Sequence, residues 1–117
     1  MGDAERKQVA AAAAVSEDLV RDALMGVVDP ELGLDVVDLG LVYGIEMRDF
    51  GLVVVRMTLT TPVCPYGPEL IQAVVSHVEE VPGVSQCQVE LVWEPVWDPR
   101  TMASRDAKTA LGLFDDF

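Results

Sequence analysis

Two runs of alternating hydrophobic residues, separated by a short turn, constrain the fold of this chain more than any other feature. In the first run every second position is large and apolar: Leu39, Leu41, Tyr43, Ile45 and Met47. The second run repeats the pattern with Val53, Val55, Met57 and Leu59. Period two is typical of strands with one buried face, and residues 48–51, RDFG, predict a hairpin turn. Strands this close in sequence are expected to pair antiparallel.

Helical spacing of apolar residues precedes this hairpin. Ser16 is a predicted N-cap, and Glu17 and Asp18 follow in the first turn, where acidic side chains are favoured. The apolar stripe recurs at Val20, Ala23, Leu24, Val27 and Val28. We expect this helix to end at Asp29-Pro30, because the residue before a proline avoids the helical region.

A proline-rich segment follows the hairpin at residues 61–68, TPVCPYGP. The prolines end the second strand, and Pro68 begins a second helix that ends at residues 82–83. A third strand is expected to turn Cys87, Val89, Leu91 and Trp93 inward. The strand–helix–strand connection should be right-handed and make this strand parallel to the second. Asp98-Pro99 begins a short last helix that runs to about Leu111.

The element order α-β-β-α-β-α predicts an α/β two-layer sandwich, in which helices cover one face of a small three-stranded mixed sheet. The pattern leaves open whether the third strand lies beside the first or the second. We assign residues 16–117 to this domain. Residues 1–15 are an N-terminal extension, disordered or frayed, that we expect to be dispensable.

The charge of the chain limits its partners. It carries 8 basic and 20 acidic residues among 117, for a net charge of −12. Such a surface repels phosphate backbones and anionic lipid, so we expect no nucleic-acid or membrane partner. No apolar run approaches the length of a membrane helix. Two cysteines cannot form a disulfide framework, although a single bridge is left open, and we expect reduced thiols in the cytoplasm.

Cys64 is the sharpest candidate for a functional residue. It lies in the proline-braced loop just before a helix, whose N-terminal dipole favours the thiolate that binds soft metals and iron–sulfur clusters. The alternative is a small residue packed in a tight loop. Cys87 falls on the apolar face of the third strand, where a structural role is favoured.

Several polar residues surround the same loop or the entry to the first strand. Carboxylates at Asp29, Glu31, Asp35 and Asp38 are either metal ligands or capping and turn residues, and sequence physics favours capping. Thr60 and Thr61 lie close enough to Cys64 to hydrogen-bond it. Because a strand start lies beside the end of its hairpin partner, we expect Asp38 near Thr60. We expect Cys64 to be exposed in a shallow pocket at the N-terminus of the second helix, with Asp38 and at least one of Thr60 or Thr61 nearby.

Other candidates are weaker. His77 is expected to be a solvated helix residue, which leaves a Cys–His catalytic pair without support. Trp93 and Trp97 are interpreted as packing residues, with an interaction surface as the alternative.

Three motifs in this order resemble the metal–sulfur cluster biosynthesis factors of the SufT and PaaD type. They are residues 29–43, DPELGLDVVDLGLVY; residues 57–65, MTLTTPVCP; and residues 93–97, WEPVW. The resemblance implies a fold akin to the C-terminal domain of NifU. It also implies a role in maturing iron–sulfur proteins through Cys64, with recurrent polar positions at Asp29, Glu31, Asp38, Thr60 and Thr61. No cysteine follows Cys87, which makes the chain more similar to the short SufT-like branch.

We therefore predict a non-enzymatic accessory factor that carries a labile iron–sulfur cluster or iron, or docks client apoproteins and the assembly machinery. One thiolate cannot satisfy a cluster that takes four ligands, so binding needs a homodimer, carboxylates or small external thiols. The alternatives are a thiol-dependent enzyme with Cys64 as nucleophile and a structural adaptor that uses the acidic surface.

Overall fold

A computed structural model describes residues 15–61 and 65–113, and its elements follow the predicted order. They are α1 (Glu17–Leu24), β1 (Val42–Met47), β2 (Leu52–Met57), α2 (Gly67–Glu79), β3 (Gln86–Leu91), α3 (Pro99–Met102) and α4 (Arg105–Ala110). A short 3-10 turn at Asp49–Gly51 joins β1 to β2. Except for Val15, the predicted N-terminal extension lies outside the described residues.

The three strands form one mixed sheet in the order β1-β2-β3. β1 pairs antiparallel with β2, and β3 pairs parallel with β2. Both pairings confirm the predictions. The structure also decides the question that the sequence left open, because the third strand lies beside the second and β2 is central.

The helices pack over one face of this sheet. Val53, Val55 and Met57 of β2 are fully buried against apolar side chains of α1 and α2, including Val20, Leu24, Leu70, Val74 and Val78. Position 54, also a valine, is buried on the other side of β2, whereas Arg56 is half-buried and pairs with Glu46 of β1 at 3.4 Å. The predicted α/β architecture, a small sheet with helices on one face, is therefore confirmed.

The N-terminal elements are shorter than predicted. Ser16 caps α1 as expected, its Oγ accepting from Leu19 N at 3.4 Å, but the helix ends at Leu24 and not at Asp29. The chain turns there, and Val28 forms an isolated bridge with Asp35. The first strand begins at Val42 and not at residue 39, because residues 36–40 form a turn before it. The pairing register also shifts between Val42 and Gly44, which breaks the predicted alternation.

Two further predictions are wrong at the C-terminal end. The last helix is divided into α3 and α4, because Ala103 adopts an extended conformation and Ser104 caps a new helix. The side chain of Leu91 is 37% exposed and that of Trp93 is 41% exposed, so neither points into the core. β3 is an edge strand, and Trp93 lies beyond its last paired residue.

Candidate functional site

The segment that leaves β2 carries the predicted threonines. Thr58 is buried, and its N–H donates to Leu41 O at 2.9 Å, which extends the pairing of the hairpin by one residue. Thr60 and Thr61 are half-buried. Cys64 lies outside the described residues, between Thr61 and Pro65 in the chain.

The helix on the other side of Cys64 begins at Gly67. Tyr66, its N-cap residue, makes no side-chain capping bond, and Pro68 stands in the first turn as predicted. Gly67 is buried, and a Cβ there would lie 3.1 Å from Leu59 Cδ1. The small residue therefore lets the start of α2 approach the end of β2 closely. The backbone N–H groups of the first turn give this end of α2 a partial positive charge, and Glu69 lies in the same turn.

An apolar pocket lies at this end of β2. Its volume is about 170 Å³, and it is lined by Thr58, Leu59, Thr60, Trp93, Val96 and Trp97. The side chain of Val96 is 73% exposed at the pocket. Val96 was not predicted as a site residue, and packing was favoured for both tryptophans, although three large apolar residues in the WEPVW motif were a visible signal.

Residues 93–98 are held in place by hydrogen bonds to the start of the sheet. Trp97 Nε1 donates to Leu39 O at 2.7 Å, and the Tyr43 hydroxyl donates to Pro95 O at 2.8 Å. Burial raises the pKa of the Tyr43 phenol, and the negative charge of Glu94 raises it further. Tyr43 therefore remains a protonated donor across the physiological range.

Asp29 performs the local turn function that the sequence favoured. It is 1% exposed, and its Oδ1 accepts from the backbone N–H of Glu31 at 2.8 Å and of Leu32 at 3.2 Å. The backbone N–H of Asp29 donates to Leu34 O at 2.9 Å. These bonds close the loop after α1. Glu31 is an exposed member of the same turn.

Asp38 has a different environment. A hydrogen bond with the Asp35 carboxyl, followed by burial and the negative charge of Asp35, raises the pKa of Asp38, while a hydrogen bond from Ser104 opposes the shift. The Asp38 carbonyl also accepts from Ser104 N at 2.6 Å. Ser104 was not predicted as a partner, because the single long helix expected there concealed its capping role. The proton of the Asp38 carboxyl is therefore held more tightly than that of an isolated carboxyl.

Trp97 connects the two predicted halves of the site. Its side chain lines the pocket together with Thr60, and its indole nitrogen binds the carbonyl of Leu39, the residue after Asp38. Asp29 and Glu31 belong to a separate turn. Within residues 15–61 and 65–113, no three His, Cys, Asp or Glu side chains are grouped so that they could hold a metal ion.

Cys87 is buried, as predicted. It is 5% exposed, and burial, with a smaller contribution from the charge of Glu79, raises the pKa of its thiol to about 11. The thiol is therefore protonated at neutral pH and a poor nucleophile. Its backbone N–H donates to Glu79 Oε2 at 3.0 Å.

His77 is half-buried and not solvated as predicted. Its Nδ1 lies 2.9 Å from Ala73 O, one turn earlier in α2. A Cβ at Gly26 would lie 3.2 Å from His77 Cδ2, so the ring packs against the chain just after α1.

Comparison with known proteins gives a consistent result. The family described as iron–sulfur cluster assembly protein matches residues 17–91. The chain is 47% identical over 87 residues to the Fe-S protein maturation auxiliary factor SufT of Staphylococcus aureus, covering 74% of this chain and 98% of the relative. It is 43% identical over 101 residues to the Fe-S protein maturation auxiliary factor YitW of Bacillus subtilis, covering 83% and 98%.

The fold has a solved counterpart. A crystal structure of a domain of unknown function from Bacillus anthracis matches with a TM-score of 0.78 at 37% identity, covering 90% of this chain and 99% of that one. In the described part of the chain, no helix is long and apolar enough to span a bilayer.

Proposed function

The chain belongs to the iron–sulfur cluster assembly protein family, and we propose that it is an accessory factor that helps to deliver clusters to client apoproteins through the thiolate of Cys64. The family membership confirms the resemblance seen in the sequence. The cluster or its iron is cargo in this role. Cys64 either ligates the cargo briefly or holds the client or the assembly machinery while the cargo passes. A second copy, carboxylates or small external thiols supply the remaining ligands.

The proposal is supported chiefly by the positions of the two chain ends that flank the Cys64 segment. Thr61 follows the central strand, and Pro65 stands just before Tyr66, the N-cap residue of α2, whose side chain makes no capping bond. Backbone N–H groups at a helix N-terminus favour an anion, and a thiolate is the reactive and metal-binding form of cysteine. A protein that must release its cargo needs an accessible ligand of this kind. The proposal includes the cytoplasm as its location, where thiols stay reduced.

The other predicted site residues have different roles in this proposal. Thr60 and Thr61 precede Cys64 in the chain, and we expect them to hydrogen-bond a sulfur. Asp38 supplies a carboxyl with a raised pKa that can accept or return a proton. Asp29 and Glu31 act through the turn that they form, which positions the segment leading to Asp38.

The relatives are named as maturation auxiliary factors, which agrees with a non-enzymatic role. A thiol-dependent enzyme would need a base beside Cys64. His77 is an unsuitable base, because its ring packs against the chain near Gly26 and its Nδ1 faces a carbonyl in the middle of α2. The adaptor alternative, in which the chain acts without its thiol, is decided by the experiment below.

The test compares the two cysteines in cells that lack the wild-type chain. We expect Cys64→Ser to abolish the activity of cluster-dependent client enzymes while leaving the melting temperature almost unchanged. Cys87→Ala is the matched control, because it removes a buried thiol of raised pKa, and it should retain client activity at a stability cost of about 1 kcal/mol. Full client activity with Cys64→Ser would refute the thiol mechanism.

Reconstitution separates the ways in which Cys64 could act. The purified chain is incubated anaerobically with iron and sulfide, and the absorbance of a cluster is measured for wild type and Cys64→Ser. A chromophore that only the wild type forms supports transient ligation of the cargo. If both proteins stay colourless while Cys64→Ser still fails in cells, the thiol acts by docking a partner.

A further inference from the structure

Large apolar side chains are exposed in the short stretch of chain that ends β3 and then lines the pocket. Leu91 is 37% exposed, Trp93 is 41% exposed and Val96 is 73% exposed. Folding alone gives no reason to place them on the surface, since each would be more stable in the core. Exposed apolar side chains that are contiguous and rimmed by polar groups commonly mark a binding surface.

Hydrogen bonds within the chain hold the stretch that forms the wall of the pocket. The hydrogen bonds of Trp97 Nε1 to Leu39 O at 2.7 Å and of the Tyr43 hydroxyl to Pro95 O at 2.8 Å fix its wall. Asp98 begins α3 by accepting from Arg100 N at 3.0 Å, which fixes the end of the same stretch. A preformed wall lowers the entropy that binding would otherwise cost.

The size of the pocket indicates what it accepts. Its volume is about 170 Å³. An apolar protein cavity of about 150 Å³ binds a molecule as large as benzene. The pocket is therefore suited to one aromatic or branched aliphatic side chain.

The rim indicates the charge of the partner. Glu90, Glu94 and Asp98 are exposed along this stretch, and no lysine or arginine occurs between positions 90 and 99. The nearest cation in sequence is Arg100, in α3. The negative charge of Glu94 also helps to raise the pKa of Tyr43, whose hydroxyl donates to Pro95 O in the same stretch. A basic segment is attracted to such a rim, and an acidic one is repelled.

We propose that this pocket docks a basic segment of the client apoprotein, with one large apolar side chain inserted between Trp93 and Val96. The inference rests on the proposed function, because Thr60 lines the pocket and leads directly to the segment that holds Cys64. Docking there brings the client to the end of the central strand from which the chain continues to Cys64.

Binding can be measured directly, because both tryptophans of the chain line the pocket. Three capped peptides are titrated at low ionic strength, and tryptophan fluorescence is recorded. One has a central leucine flanked by two lysines on each side, the second replaces leucine by alanine, and the third replaces the lysines by glutamates. We expect the first to bind at least tenfold more tightly than either control. Equal affinity of the first and second peptides, or of the first and third, overturns the proposal.

A variant pair locates the binding. Val96→Lys places a cation at the pocket mouth, and Phe50→Lys makes the same kind of change at a residue that is 93% exposed in the β1–β2 turn. Both side chains are surface residues, so we expect both variants to fold, which circular dichroism and thermal melting verify. Val96→Lys should weaken the leucine–lysine peptide at least tenfold, and Phe50→Lys should not. An equal effect of the two variants, or none, overturns the proposal.

The same variants distinguish this inference from the proposed function. In cells, we expect Val96→Lys to reduce client activity severalfold and Phe50→Lys to leave it unchanged. If Val96→Lys is fully active while Cys64→Ser is inactive, the docking inference fails and the proposed function stands. If Cys64→Ser is fully active, the proposed thiol function fails, and the peptide measurements still decide the docking.

Analytical ultracentrifugation tests whether a second copy of the chain occupies the pocket. If the wild type is a dimer and Val96→Lys dissociates it, a second copy binds there, and the proposal is overturned.

Discussion

The two ends of the central strand β2 are built differently. We call one of them the closed end, which comprises residues 48–52 and 83–85. Its backbone polar groups are paired, because Arg48 N donates to Leu52 O at 2.7 Å and Ser85 N donates to Gly51 O at 2.9 Å. At the open end, residues 58–61 and 93–97, an apolar pocket faces solvent and Val96 is largely exposed. The closed end pairs its backbone polar groups, and the open end exposes apolar side chains at a pocket.

The difference indicates how stability and function are distributed along one strand. The closed end also has an ion pair, Arg48 to Glu46 at 2.8 Å, which holds the pKa of the Glu46 carboxyl below its usual value. The Asp35–Asp38 pair lies in the turn that leads into β1, on the same side as the open end, and its like charges raise the pKa of Asp38. Charges that favour each other therefore occupy the closed end, and charges that oppose each other occupy the end beside the candidate site. Binding sites commonly keep such unfavourable arrangements.

The largest effect is expected from Gly51→Ala at the closed end. Gly51 has φ +77°, and a Cβ there would collide with the carbonyl oxygen of Gly83 and lie 3.0 Å from Ser85 N. The left-handed conformation and the collision with backbone together should lower the free energy of unfolding by about 2–4 kcal/mol. Thermal melting should record a decrease of about 10 °C. Client maturation per folded molecule should stay unchanged.

Gly112→Ala is the matched control. Gly112 has φ +80°, but a Cβ there would meet nothing within 4 Å. This variant carries the conformational cost alone, about 1 kcal/mol. If both variants lose the same stability, the close approach of residues 51 and 83 does not hold the closed end together.

The sequence predicted the fold well because its dominant signals are local. Two runs of alternating apolar residues around a short turn specify the hairpin. The prolines after the second strand end it and precede a helix, and this helix connects it to a parallel β3. The errors fall where local signals compete. Val27 is 1% exposed and fits the apolar stripe of α1, yet it lies beyond the helix because the chain has already turned at Leu24.

The candidate site was predicted less completely, because it depends on contacts between distant parts of the chain. Tyr43 to Pro95 and Trp97 to Leu39 join residues more than fifty positions apart, and no local pattern predicts such pairs. Residues 93–97 were recognised as a motif, but the exposure of Val96 depends on where β3 ends. The contact between Asp38 and Ser104 was not predicted, because the sequence indicated one last helix and Ser104 lies at the start of a second one.

A smaller effect is expected from Phe50→Asn, again at the closed end. Phe50 has φ 63° and is 93% exposed, so a bulky side chain occupies a left-handed conformation without packing in return. Asparagine is enriched in this conformation, and the substitution should raise the free energy of unfolding by about 1 kcal/mol. Chemical denaturation measures the gain. A loss of stability would mean that the side chain of Phe50 stabilises the turn. The stability of the closed end would then not be due to backbone pairing alone.

The smallest stability effect is expected from Asp38→Asn, which tests the open end. At pH 7 the raised pKa means that folding places the Asp38 charge in an unfavourable site, chiefly beside Asp35. An amide removes the repulsion, can donate to Asp35 and can still accept from Ser104. We expect a gain of about 0.5 kcal/mol at neutral pH. The native carboxyl binds its proton more tightly than the unfolded one, so the wild type recovers stability as the pH falls through the raised pKa. The advantage of Asp38→Asn should therefore shrink between neutral pH and pH 4.

Client maturation decides whether this destabilising charge is kept for function. If Asp38 accepts or returns a proton while Cys64 exchanges its cargo, Asp38→Asn should be more stable than wild type and yet mature clients several times more slowly. Ser16→Ala is the matched control, because Ser16 Oγ accepts from Leu19 N at 3.4 Å and its loss disturbs the start of α1 while the Asp38 carboxyl keeps its hydrogen bond from Ser104. It should cost about 1 kcal/mol and leave maturation largely intact. Full maturation with Asp38→Asn would restrict the site to the Cys64 segment and the apolar pocket, and the opposed carboxyls would then be a feature of the turn alone.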